Sequence, residues 1–142
     1  MAIPSGTAAA RPFLPAKDFE TSRAFYEALG FSKLLDGDVV IFGVGPSAFI
    51  LQRRYQEDWA GNFMMQLMVD DLDAWWTHIQ RLDLPGKFGV QPPKAPAMQP
   101  WGLRVHTFMT HPACYGISPS AERTRPQTRR QKSCFDRFTF KH

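Results

Sequence analysis

The sequence predicts an α+β fold assembled from two related halves, each in the order β-α-β-β-β. Its first support is a repeat: LPAKDFETSRAFYEAL from Leu14 and LMVDDLDAWWTHIQRL from Leu67 share an apolar extended lead-in, an aspartate and an amphipathic helix. Turn signals spaced by short apolar runs after the first helix are the second. The third is size, since 142 residues with 44% hydrophobic content and 12 Phe make one soluble domain with a real core. Units this small do not close a core singly, so two of them pair and enclose a concave cleft between them.

Residues 11–54 form the first half. Arg11 to Ala16 is expected as a strand, and Asp18 offers a capping oxygen to a helix running to about Leu29. Phe25, Ala28 and Leu29 place apolar groups on one helix face, and Gly30 supplies the left-handed residue that ends it. Strands are expected at Ser32 to Leu35, at Val39 to Gly43 beyond the Asp36-Gly37 turn, and at Ala48 to Arg53 beyond Gly45-Pro46.

Tyr55 to Gly61 is polar and turn-rich and reads as a link. The second half, residues 62–108, opens with a strand at Phe63 to Val69, after which Asp71 caps a helix. Leu72, Trp75, Trp76 and Ile79 recur at helical spacing, which makes the tryptophans core residues. Lys87 to Gln91 is expected as a short strand, Gln91 to Pro100 with its four prolines as a surface loop over the cleft, and Leu103 to Phe108 as a strand. On this reading the second half is incomplete at its last strand.

FLPAKDFETSRAFYEALGF, VDDLDAWW and QPWG at Gln99 to Gly102 resemble, in order and spacing, the vicinal oxygen chelate superfamily of glyoxalases, bleomycin-resistance proteins and dioxygenases. The likeness covers residues 11–108 and is greatest to the bleomycin-resistance proteins. It implies a cupped mixed sheet, a homodimer with its cleft between subunits, and a non-enzymatic protein that sequesters an aromatic, antibiotic-type small molecule. The alternative within the superfamily is a metal-dependent lyase or dioxygenase.

The family's metal ligands would fall at Arg11 and Met64, neither a plausible ligand for a catalytic divalent ion, so no metal, other cofactor or catalytic residue is expected. Met64, Gln66 and Met68 alternate along one strand and offer two soft apolar groups and one amide to a ligand. Trp101 matches the QPWG tryptophan, which either stacks on a drug ring or anchors its loop. Gln52 is a weaker cleft candidate. Leu35 and Gln66 stand where the family's drug groove carries aromatics, and the body lacks the acidic excess that would draw in a cationic glycopeptide such as bleomycin. The four histidines show no paired ligand spacing; His78 reads as a helix-surface residue, and His106 lies in a strand whose alternation leaves its direction open.

Beyond Phe108 the likeness stops. Written back as codons and read one register over, MTHPACYGISPSAER yields HDPSGVLWHFAER, the ending the family would have. The fixed bases of Met109 and Thr110 force an aspartate, and those of Cys114 and Tyr115 a leucine. Loss of one base near the Phe108 codon therefore accounts for residues 109–142 as an out-of-frame tail, the alternative being a natural divergent one. Tyr115 to Ile117 or Phe135 to Phe140 are candidate substitutes for the lost strand, and Arg123 to Lys132 is expected to be disordered.

The net charge of +4 belongs to this tail. Residues 1–106 hold ten Lys or Arg against eleven Asp or Glu, and residues 107–142 hold seven against two. Nucleic-acid binding is thus not expected of the body. Cys114 and Cys134 read as free thiols. No segment is apolar over the ~20 residues that span a bilayer, so no membrane partner is expected and the cytoplasm is the anticipated address.

Overall fold

The computed structural model describes residues 4–6, 8–109 and 114–119. Asp18 is extended and its carboxylate accepts from the Thr21 N–H at 3.0 Å, starting helix α1 (Phe19–Ala28) after strand β1 (Phe13–Pro15). That bond holds the Asp18 carboxyl below its ordinary range. Asp71 does the same for Ala74 at 2.8 Å, starting α3 (Leu72–Arg81) after β5 (Met64–Val69). Between them run β2 (Ser32–Asp36), β3 (Val40–Val44), β4 (Ser47–Gln52) and a single helical turn, α2 (Glu57–Ala60), inside the expected link. After α3 come α4 (Leu84–Phe88), β6 (Lys94–Met98), β7 (Arg104–Met109) and β8 (Cys114–Pro119).

The two halves have the same topology. One four-stranded mixed sheet runs β1-β4-β3-β2, the other β5-β8-β7-β6, and in each the first pair is parallel and the rest antiparallel. The fold is α+β, and neither sheet closes on itself.

Three local expectations need correcting. The second half has its fourth strand, and it includes the candidate Tyr115 to Ile117: the backbone of Cys114–Pro119 lies between β5 and β7. Two strands that flank a gap present rows of unpaired N–H and C=O groups, and an extended segment between them pairs through its backbone rather than through particular side chains, with Pro119 at the end of β8 lacking an N–H to donate. Lys87 to Gln91 is not a strand, because Asp83 caps α4 through the Gly86 N–H and Pro85 sits in the first turn, where a missing N–H costs nothing. Gln91 to Pro100 is not wholly a loop. Lys94–Met98 is an edge strand, and Pro96 falls in its register irregularity between Lys94 and Ala97, where no ladder bond is required of it.

A single core joins the halves through their helical sides. Tyr26, Phe42 and Phe49 bring their rings within 6 Å of one another; Leu14, Leu51, Leu72, Ile79 and Leu84 complete the interior. Each such side chain taken out of water is worth about 1.5–3 kcal/mol. Contacts across the halves include the Phe25 and Phe88 rings at 5.2 Å and His78 Nε2, which donates to the Leu29 carbonyl at 3.0 Å. Each sheet thus spends one face on the shared core and turns the other away from it.

Expectations placed on Arg123 to Lys132, on Phe135 to Phe140 and on Cys134 lie outside the described residues. Among the described residues no helix is long and apolar enough to cross a membrane.

Candidate functional site: the outward sheet faces

The alternation along β5 separates two environments. Met65, Leu67 and Val69 pack on the core, while Met64, Gln66 and Met68 point away from it, the two methionines 38% and 46% exposed. On β4 the same alternation buries Phe49 and Leu51 and turns Ala48, Ile50 and Gln52 outward. Gln52 therefore belongs to the outward face of the first sheet and the β5 residues to that of the second.

Cross-strand register extends both faces. In the first sheet Phe13 pairs with Ile50, Ile50 with Ile41, and Ile41 with Leu35. The bulge after Lys33 also lays Leu34 over Gly43, where a Cβ would lie 3.0 Å from Leu34 Cδ1. Phe13, Leu34 and Leu35 are each at least half exposed. In the second sheet one row runs Gln66, Gly116, Thr107 and Lys94. The face is open along β5 and tightens toward β7, where Val105 and Thr107 are buried.

Trp101 stands on the turn between β6 and β7. The Gly102 N–H donates to the Gln99 carbonyl at 2.9 Å, with Gly102 at φ +87°, a conformation that excludes most other residues. Gln99 is buried beneath the turn and Trp101 is half exposed, so Gln99 is the buried side chain of this turn and the indole is accessible. Phe13 and Leu34 escaped the sequence reading; the alternation of the FLP strand was a signal for the first, whereas the bulge that exposes the second has no local signature.

His106 is not on this surface. Its neighbours Val105 and Thr107 face outward, and its own ring lies on the helical side, fully buried, 5.6 Å from the Trp76 ring. Burial pushes its pKa down to about 4, keeping the imidazole neutral. Trp75 packs on the core and edge-on to His78 at 5.6 Å, as expected of a core residue, whereas Trp76 is half-buried and lines a depression on the helical side.

The outward faces offer poor metal chemistry. Met64 and Met68 present thioethers, Phe13 carbon, and Gln66 and Gln52 amides, a set that does not suit a hard divalent ion. Among the described residues no three His, Cys, Asp or Glu side chains converge on one point. A depression of about 310 Å³, lined in part by Trp76, Gln80, Asp83, Pro85 and Pro93, sits on the helical side, apart from every residue expected in the cleft. An outward face becomes a cavity only when a second surface covers it.

No protein-family model matches the chain, and no curated protein is similar to it. Solved structures are. A bleomycin-binding protein complexed with bleomycin superposes with a TM-score of 0.68 at 24% identity, over 81% of this chain and all of that one. The bleomycin resistance determinant encoded on transposon Tn5 gives 0.64 at 24% identity, over 80% and 98%. Lactoylglutathione lyase from Agrobacterium tumefaciens gives 0.59 at 18% identity, over 82% and 96%. With its two matching four-stranded sheets and shared helical core, the chain has the fold of these bleomycin-binding and bleomycin resistance proteins and of the lactoylglutathione lyase alike.

Proposed function

We propose that this protein binds a small aromatic molecule of the antibiotic type without transforming it, in a cleft formed when the outward faces of two copies meet as a homodimer. The observation that carries this reading is where the large exposed apolar side chains lie. Among the described residues, Phe13, Leu34 and Leu35 occupy the first outward face, Met64 and Met68 the second, and Trp101 the adjoining turn, while Trp59 on α2 and Met98 at the end of β6 lie elsewhere. Large exposed apolar side chains gathered on two outward sheet faces support a binding role there. The bleomycin-binding and bleomycin-resistance proteins of the same fold support it.

The lactoylglutathione lyase supports the other reading, a metal-dependent enzyme. The experiment is a pair of measurements on the full chain: metal content after exposure to Mn²⁺, Ni²⁺ and Zn²⁺, and titration of planar aromatic compounds against tryptophan fluorescence with Trp101→Phe as control. A response lost in Trp101→Phe together with no retained metal favours binding. One divalent ion per chain favours the enzyme.

The out-of-frame origin of residues 109–142 is part of the same proposal. In the restored peptide HDPSGVLWHFAER, the six residues VLWHFA fall on positions 114–119, the span of β8. A tryptophan would then stand in place of Gly116, in the row between Gln66 and Thr107, adding a ring to the outward face.

A further inference from the structure

The charges of the strands are arranged unequally between the two sides. Among the described residues the strands hold a single carboxylate, Asp36, and it is turned to the helical side, where Arg23 donates to it at 2.6 Å and Lys33 at 3.0 Å. Lys33 is committed to the same side through Glu27 at 2.7 Å, and Arg104 through Asp73 at 3.0 Å. What remains on the outward faces is Phe13, Leu34, Leu35, Ile41 and Ile50 on one and Met64, Gln66 and Met68 on the other, with Lys94 at the far edge. The strand charge on these faces is therefore one cation and no anion.

A cation moved from water onto such a surface loses hydration and meets no counter-charge, and Lys94 repels it further. A flat uncharged ring system loses little hydration and gains apolar contact, while the amides of Gln66 and Gln52 each carry both donors and an acceptor for polar groups at a ring edge.

We propose that the cleft selects uncharged, planar, polycyclic ligands bearing hydrogen-bonding edge groups and discriminates against their cationic counterparts. This rests on the ligand-binding reading above and specifies the ligand class for the same site.

Two tricyclic probes of nearly the same shape test it: acridone, a neutral ketone, and proflavine, a diaminoacridinium cation. Fluorescence anisotropy of each is followed against the full chain at low salt, in wild type, Gln66→Glu and Lys94→Glu. The expected result is acridone binding at least ten-fold tighter than proflavine in wild type, with the preference reduced five-fold or more by either carboxylate. Both substitutions are at exposed positions, so either one tests the charge effect if the other fails to fold. Equal or tighter binding of proflavine by wild type overturns the inference and leaves the ligand-binding reading standing. A preference unmoved by both variants overturns it equally. Failure of both probes to bind wild type counts against the inference and the binding reading together.

Discussion

His78 Nε2 donates a hydrogen bond of 3.0 Å to the carbonyl of Leu29, the residue that closes helix α1. The donor belongs to the second half and the acceptor to the first, so one imidazole N–H satisfies an orphan carbonyl at a helix end and ties the repeats together. The bond predicts that His78→Ala and His78→Phe each lower stability by about 1 kcal/mol, the second despite keeping a ring against Trp75. Urea denaturation midpoints measure this. An unchanged midpoint in His78→Phe would mean that ring packing alone matters there.

His106 predicts a pH dependence. Its folded pKa of about 4 lies below the unfolded value near 6.5, so the unfolded chain binds the extra proton between them. Stability from the neutral buried ring is complete above pH 6.5 and is lost as the pH falls toward 4, by up to about 3 kcal/mol. His106→Leu should flatten that slope while leaving the carboxylate titration in place. Unfolding free energies of the two proteins across pH 4–7 settle the matter; parallel curves would remove His106 from the account.

The closing strand predicts a DNA sequence. Reading the encoding DNA through the Phe108 codon should show third bases that spell HDPSGVLWHFAER in the adjacent frame, and one added base should restore that ending. The repaired chain should unfold at a higher temperature, since alternating VLWHFA replaces the Gly- and Pro-containing CYGISP on β8. Codons that do not permit that peptide would end the idea.

Local chemistry made much of this fold legible. Asp18 and Asp71 marked both long helices to within a residue, because a capping oxygen acts three positions along its own chain. Alternation separated Met64, Gln66 and Met68 from their core-facing neighbours for the same reason. Long-range features were not legible. Nothing around His78 announces Leu29 as its partner, and the strand identity of Lys94–Met98 depends on β7 lying beside it. Leu34 lies over Gly43 because of a bulge and the missing side chain of that glycine, a property of two strands together. Tyr115 to Ile117 stands as a candidate for β8 in the sequence, but the choice between it and Phe135 to Phe140, and its extension to Cys114–Pro119, depend on the gap between β5 and β7.

Sedimentation of the full chain, with and without an aromatic ligand, tests most directly whether the outward faces of two copies make the site. Wild type should sediment as a dimer, and Leu35→Glu combined with Met68→Glu, which places a carboxylate on each outward face, should yield a folded monomer with at least ten-fold weaker ligand binding. A wild-type monomer that binds the ligand tightly, or a double variant that keeps both dimer and affinity, would contradict the account.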